Sequence, residues 1–291
     1  MTLPTTSIDI RPAFLELVRG ECLDVLHTLP DASFDLICAD LPYGTTRCKW
    51  DHVIDMDAIW TEFRRILTPR GTVVATSAGL FTVDMINAAR DLFKYNMVWH
   101  KTRPSQFVHS RNRPMVDHED ILVFSRGTMQ RASRSPNRMT YNPVEAVSDG
   151  TRIHRRAKAR AMGVCNSKKL GTPYEAMKNF PRTVQFHPNP HKPFHPTQKP
   201  ESLLEWMIEH YSNPGDAVLD PTMGSGTAGV AAVRCGRSFF GIERDAEYLA
   251  YAENRILAER DNPQPKTPAP QLLRLSAPDN DDFYTSDETV A

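Results

Sequence analysis

Asp40-Leu41-Pro42-Tyr43 places an acid, a stiffened bend and an aromatic ring in four consecutive positions. Proline fixes its own φ, offers no N–H, and pushes the residue before it towards an extended backbone. The Leu41 carbonyl therefore stands as an acceptor in a rigid turn beside the Asp40 carboxylate. Two acceptors and one ring in a single turn suit an exocyclic amine, with the ring stacked on the base that carries it. Taken alone, the same four residues fit a Pro-Tyr turn at the end of a strand equally well.

A second constellation is Asp220-Pro221-Thr222-Met223-Gly224-Ser225-Gly226-Thr227. It follows an apolar stretch and opens a small-residue helical one, the position outside a strand's carboxyl end where open α/β sheets hold ligands. Gly224 and Gly226 permit tight turning and close approach of backbone to a cofactor. The spacing is not that of a nucleoside triphosphate loop. The next apolar stretch ends at Glu243, 23 positions after Asp220. A carboxylate there can accept hydrogen bonds from both hydroxyls of a ribose, as in dinucleotide folds. Together these features point to an adenosine-bearing cofactor.

The elements that must position these groups are legible around them. Residues 34–39 and 72–77 read as buried strands, with Ile59, Phe63, Ile66 and Leu67 at helical spacing between them. Residues 95–99 and 120–125 read as two further strands. After Pro200, an apolar stripe of Leu203, Leu204, Met207, Ile208 and Tyr211 predicts a helix. Strands at 217–219 and 239–242 follow, with a helix from Thr227 to Cys235 between them and another capped by Asp245. Strands alternating with helices predict an α/β fold, a mostly parallel sheet covered on both faces.

The chain has 291 residues, and its 35 Lys and Arg balance its 35 Asp and Glu. The balance hides a local excess. From Arg126 to His195 there are 14 Lys and Arg against Glu145, Asp149 and Glu175, a net of +11. Apolar periodicity is poor there, so the segment predicts an insert facing a polyanion rather than core. Five cysteines without a Cys-x-x-Cys pair disfavour a disulfide framework or a zinc knuckle and suit a reducing cytoplasm. Residues 1–6 lack the features of a signal peptide, and no run of 18 apolar residues predicts a membrane span. His187, His191 and His195 are spaced four apart, yet Pro188, Pro190, Pro193 and Pro196 forbid a regular helix, so no metal site is expected. The acidic, Pro-rich end reads as a disordered tail.

The motifs taken together resemble the β-class DNA amino-methyltransferases, which modify adenine N6 or cytosine N4. Asp40 to Tyr43 resembles their motif IV, usually Asp-Pro-Pro-Tyr. Asp220 to Thr227 resembles motif I, usually Asp-Pro-Phe-x-Gly-Ser-Gly-Thr. His195-Pro196-Thr197-Gln198-Lys199-Pro200 matches the segment preceding motif I. The order of catalytic motif, basic insert and cofactor motif is the permuted arrangement of that class. The resemblance covers roughly residues 17–258. It implies a Rossmann-like methyltransferase sheet with an inserted target recognition region. The expected divisions are a catalytic half over 8–125, the recognition insert over 126–194, a cofactor-binding half over 195–260, and a tail over 261–291.

The resemblance also implies S-adenosyl-L-methionine as cofactor and double-stranded DNA as substrate. Glu21 and Cys22, in a Gly-Glu-Cys that resembles the family's Gly-Asp-Cys, would meet the cofactor adenine. Asp220, Pro221, Gly224, Gly226 and Thr227 would line its methionine part, with Thr197 and Lys199 near its carboxylate, and Glu243 would take its ribose. Trp99 and Lys101 would wall the target-base pocket. Asp40, Leu41, Pro42 and Tyr43 would be catalytic. The base must leave the stack before its amine can be reached, and transfer would be direct, leaving Cys38 and Cys48 structural roles. Aspartate at the head of motif IV leans towards adenine over cytosine N4. A catalytically inert DNA-binding protein with the same fold is the other reading. Two departures stand out: Leu41 replaces a proline whose carbonyl is the group needed, and Thr222 replaces a phenylalanine that walls the cofactor pocket. The recognition sequence, a restriction partner and homodimerisation stay open.

Overall fold

The computed structural model describes residues 14–45, 51–129, 135–154, 173–191 and 193–266. The described strands are β1 (Leu15–Arg19), β2 (Phe34–Ala39), β3 (Leu67–Ser77), β4 (Phe93–Ser105), β5 (Val116–Ser125), β6 (Val147–His154), β7 (Pro173–Lys178), β8 (Val184–His187), β9 (Ala217–Asp220) and β10 (Ser238–Glu243). The helices are α1 (Cys22–Leu26), α2 (Met56–Ile66), α3 (Leu80–Ala88), α4 (Glu201–Tyr211), α5 (Thr227–Arg234) and α6 (Ala246–Asp261). Eight strands form one sheet in the order β1-β10-β9-β2-β3-β5-β4-β8. The five from β1 to β3 run parallel. β5 runs antiparallel to both β3 and β4, and β8 lies parallel to β4 at the edge.

Strand alternation splits the core in two. Leu36 and Cys38 pack on one face of β2 with α4, α5 and Trp99; Ile37 and Ala39 pack on the other with α1, α2 and α3. The sheet is thus covered on both faces, the Rossmann-like arrangement expected. α2 shows why the local sequence folds so. Asp55 caps it by accepting the Ala58 N–H at 2.9 Å, and Ile59, Trp60, Phe63 and Ile66 are wholly buried. Leu67 continues the helical spacing but begins β3 instead. Pro69 cannot extend a helix and holds the residue before it extended, so the chain turns out of α2 at Ile66.

β9 and β2 are neighbours, pairing Leu36 with Val218 and Ile37 with Leu219. From β9 the chain crosses through α5 to β10 on one side; from β2 it crosses through α2 to β3 on the other. Strand order therefore reverses between them, and a crevice opens outside their carboxyl ends. Asp40 and Asp220 stand at that crevice.

The basic segment divides. β6 and β7 form a separate antiparallel pair, and the residues between them lie outside those described. β8 joins the main sheet. Met139 and Thr140 are buried, and Glu145 accepts from Trp206 Nε1 at 2.8 Å and pairs with His210 Nε2 at 2.7 Å. A part of the segment expected to face a polyanion thus packs on α4. Its anchors are isolated among arginines, prolines and asparagines, and no periodicity marks them. Most of the acidic tail lies outside the described residues. Among those described, no helix is long and apolar enough to cross a membrane.

Candidate active site

The crevice is an open cleft of about 1450 Å³ whose walls include Glu21, Asp40, Tyr43, Lys199, Asp220 and Glu243. Ligand sites commonly span roughly 300–1,000 Å³, so this volume has room for a nucleoside-sized cofactor and a second planar group.

Asp40 lies just past the end of β2 and is the centre of a charged network. Lys199 Nζ donates to both its carboxylate oxygens at 2.7 Å and stands 3.4 Å from Glu119 Oε2. Lys101 Nζ holds Glu119 Oε1 at 2.5 Å. Charges alternate along Lys101, Glu119, Lys199 and Asp40, so the cluster is neutral as a whole. Burial opposes a charged Lys199, but the Asp40 and Glu119 carboxylates outweigh it and raise its pKa. The two oxygens of Asp40 differ. Oδ1 also accepts from Thr76 Oγ1 at 2.5 Å and Tyr43 Oη at 3.3 Å. Oδ2 accepts only from Lys199 among these groups. A carboxylate offers about four lone-pair sites, so Oδ2 is the atom with capacity for a further N–H donor.

Tyr43 stacks on Phe81 with ring centroids 4.8 Å apart. Burial, then the Asp40 and Glu119 charges, push its phenol pKa well up, which keeps it a neutral donor. Leu41 is buried and anchors the turn in the core.

On the other wall, Gly224 has a φ of +49°, while Gly226, with a φ of +74° and expected to line the cofactor, is not among the lining residues and abuts Ala252 of α6 instead; both values favour glycine. The Gly224 N–H donates to Glu243 Oε2 at 2.9 Å and the Asp245 N–H to Oε1 at 2.8 Å. Each Glu243 oxygen thereby keeps capacity for another donor, which fits the two hydroxyls of a ribose. Burial raises the Glu243 pKa. Gly224 faces the His195 ring: a Cβ there would lie 3.6 Å from it. These residues therefore fit an adenosine-bearing cofactor.

Thr222 does more than fill a vacated position. Its hydroxyl donates to the Asp40 carbonyl at 3.1 Å, and its N–H to Asp220 Oδ1 at 3.1 Å. It ties the two loops of the cleft together, which a phenylalanine cannot do.

Asp220 is buried, and desolvation, with the Asp40 charge adding to it, pushes its pKa up to about 8 from an ordinary 3.8. Between those values the folded carboxyl holds more proton than the unfolded one, so stability falls as pH rises. Asp220→Asn removes that liability. Its stability relative to the parent is expected to improve steadily from pH 4 to pH 8 and level off above. Denaturant midpoints across that range check this; a difference independent of pH would sink it.

Most residues singled out in the sequence meet in this one cleft. Pro42 and Pro221 lie in its walls, as do Cys22, Thr197 and Thr227. Glu21 is about half exposed, paired with Arg244 at 3.1 Å. Thr197 Oγ1 hydrogen-bonds His195 Nδ1 at 3.1 Å. Trp99 is 2% exposed on the cleft floor and donates its indole N–H to the His187 carbonyl at 2.9 Å, with Lys101 Nζ 5.3 Å from its ring. Lys199 stands differently from the expectation, with its ammonium on Asp40 and Glu119. His187 is turned into the core against Ser202 Oγ, apart from His195 on the cleft wall. Sequence reasoning missed Glu119 and Thr76. The one hint of Glu119 is an acid, between His118 and Asp120, running straight into the apolar Ile121-Leu122-Val123-Phe124.

Known proteins resemble this chain in sequence and in fold. A family model described as DNA methylase, covering N6 and N4 methyltransferases, matches residues 34–254. Type II methyltransferase M.HinfI of Haemophilus influenzae is 28% identical over 273 residues, 85% of this chain and 69% of that protein. DNA adenine methyltransferase YhdJ of Escherichia coli (strain K12) is 29% identical over 259 residues, 82% of each. The solved M1.HpyAVI–SAM complex superposes with a TM-score of 0.54 at 23% identity, over 84% of this chain and 99% of that one. That likeness speaks to the fold.

Proposed function

The chain belongs to the DNA methylase family, and from that premise we propose that it methylates the N6 amine of adenine in double-stranded DNA. Its cofactor is S-adenosyl-L-methionine. The observation that carries the reading is the convergence at one strand-order reversal of an anionic acceptor with spare capacity, Asp40 Oδ2, and a ribose-competent carboxylate, Glu243. The adenine assignment draws support from the aspartate heading the tetrapeptide and from the adenine specificity named for the similar YhdJ. Duplex DNA as partner is supported by the +11 excess over residues 126–195. The buried free thiols of Cys22, Cys38 and Cys235 accord with a reducing, cytoplasmic setting.

When bound, S-adenosyl-L-methionine supplies the methyl group as an electrophile on sulfur. The protein's part is positioning. Asp40 Oδ2 accepts one N–H of the extruded base's amine and the Leu41 carbonyl the other, which turns the nitrogen lone pair towards the cofactor. Lys199 and Thr76 fix the Asp40 carboxylate in place. Tyr43, braced by Phe81, stacks on the base; such stacking is worth roughly 1–3 kcal/mol. The methylated amine must shed a proton, and Asp40 Oδ2 is the base nearest to receive it. Glu243 holds the ribose, with Glu21 and Cys22 by the adenine.

The test is chemical. DNA from a methylation-deficient host expressing the chain is digested to nucleosides and analysed by mass spectrometry. N6-methyladenine is expected. N4-methylcytosine would overturn the adenine assignment, and unmodified DNA would favour an inert DNA-binding protein. Glu243→Ala is a separate check on the cofactor wall. Two charge-assisted hydrogen bonds at about 1.5 kcal/mol each weaken S-adenosyl-L-methionine binding roughly a hundredfold by calorimetric titration. A Kd within twofold of the parent would remove Glu243 from the cofactor site.

A further inference from the structure

The β4–β5 hairpin reaches past the rest of its sheet. β3 pairs with β5 only as far as Ser77 with Asp120, and β8 pairs with β4 only as far as Lys101. Beyond those partners, Thr102 to Val116 projects from the end of the sheet that carries Asp40. Four residues of strand alone rise roughly 13 Å. Ser105 pairs with Val116 at the base of the tip. The Asn189 side chain accepts from the Arg103 N–H at 3.0 Å, and Arg103 donates to the Pro190 carbonyl at 2.8 Å, bracing the hairpin from the side.

The tip is shaped and coloured for one kind of partner. A single 3-10 turn presents Phe107 and Val108, which are 74% and 84% exposed. Its own backbone holds it: Ser110 N–H bonds the Phe107 carbonyl at 3.0 Å, and Arg113 N–H the His109 carbonyl at 3.0 Å. Two large adjacent apolar side chains in water on a hydrogen-bonded projection mark a contact surface. From Thr102 to Val116 the chain carries Arg103, His109, Arg111 and Arg113 and no acid. Among the described residues no carboxylate pairs with Arg111 or Arg113. Gln106, Val108, His109 and Arg113 also form part of the wall of the catalytic cleft. An apolar wedge ringed by arginines beside a base-accepting cleft matches a duplex from which one base has been withdrawn. Side chains of this type insert between base steps, and arginines neutralise the flanking phosphates.

We propose that the tip of the β4–β5 hairpin enters the duplex beside the target, with Phe107 and Val108 filling the space the extruded base leaves and Arg111 and Arg113 on the adjoining phosphates. The inference rests on the reading that duplex DNA is the substrate. It gives the hairpin a job distinct from the chemistry: it holds the base out and does not touch the reacting amine.

The test compares the parent with Phe107→Ala on two duplexes carrying the chain's own site, identified from its methylated DNA. In one the target is paired; in the other it is mismatched and already weakly stacked. The Phe107 side chain is exposed and stands outside the cleft lining, so the variant keeps its fold and its S-adenosyl-L-methionine affinity. Its kcat/KM is expected to fall about thirtyfold or more on the paired duplex and to stay within threefold of the parent on the mismatched one. The rise in 2-aminopurine fluorescence at the target position, seen with the parent, should be lost with the variant. Equal activity on the paired duplex, or an equal loss on both, overturns the proposal. A parent that transfers no methyl group to DNA overturns the functional reading and this one with it; an active parent with an unaffected variant overturns this one alone.

Discussion

Asp40→Ala lowers kcat by at least about a thousandfold while S-adenosyl-L-methionine affinity stays within about threefold. The size follows from what Asp40 does. Orienting a nucleophile for attack supplies up to about 7–11 kcal/mol in ideal cases, and deleting one preorganised polar group in an active site typically costs a factor of about 10²–10³. Asp40 contributes on both counts, as the acceptor that aims the amine and as the negative charge that stabilises the nitrogen while it becomes cationic. The cofactor wall is built from β9, β10 and their loops, and Asp40 hydrogen-bonds to it through its backbone carbonyl on Thr222, which alanine keeps. A cost in stability accompanies the loss. Lys199 is 8% exposed and loses its bidentate partner, and breaking a buried pair costs about 3–5 kcal/mol. Glu119, 3.4 Å from the same ammonium, moderates that figure. Asp40→Asn, which keeps shape and one acceptor oxygen, separates folding from chemistry. Single-turnover assays beside calorimetric titration make the comparison; a variant methylating at the parental rate would remove Asp40 from the mechanism.

The parts of this site that the sequence revealed are those whose chemistry is local. Asp40 to Tyr43 is an acid, a bend and a ring within one turn, and Asp220 to Glu243 is a strand, a glycine turn, a helix and a strand in succession. Such units carry their own spacing, and the sheet brings them together because β2 and β9 pair. Lys199 was legible as a motif residue but not as the partner of Asp40, because 159 positions separate them and only the packing of the segment before α4 over the sheet makes them meet. Glu119 and Thr76 lie on otherwise ordinary strands; Thr76 donates to Asp40 and Glu119 is linked to it through Lys199, and little in their neighbours distinguishes such a role from a solvated strand end. The same limit hid Glu145. In sequence it is one acid in a basic stretch, whereas in the fold it satisfies the indole N–H of Trp206 and the ring of the fully buried His210. Thr222 shows the converse. Compared position by position it looked like a lost apolar wall, and its gain, a hydrogen bond to the opposite loop, exists only in three dimensions.

Lys199→Met gives the second large effect and separates two assignments for that residue. Methionine keeps the length and apolar body of the side chain but removes the ammonium. Asp40 and Glu119, which contact the same nitrogen at 2.7 and 3.4 Å, are then left as two carboxylates within about 6 Å of each other. Lys101 still compensates Glu119, so the neighbouring negative charge favours the protonated form of Asp40. A protonated Asp40 is a poorer acceptor for the amine. The expected result is a kcat about a hundredfold below the parent near neutral pH, recovering at least tenfold as pH rises and that proton is lost. Stability moves the other way. A carboxyl whose folded pKa is raised above its unfolded value costs stability as pH climbs through that window, so the variant's unfolding midpoint falls with pH while its activity increases. In the parent the pKa of Lys199 itself is raised. The stability it contributes is fully present below its ordinary value of 10.5 and is lost only above that, so Lys199 itself gives the parent neither trend near neutrality, and the decline that Asp220 causes there is common to parent and variant. A lysine that served the cofactor carboxylate would behave otherwise: its loss would weaken S-adenosyl-L-methionine binding and leave the pH profile of kcat unchanged. Profiles of kcat and cofactor Kd from pH 6 to 9 therefore decide whether Lys199 acts through Asp40, and a loss that is the same at every pH would rule that role out.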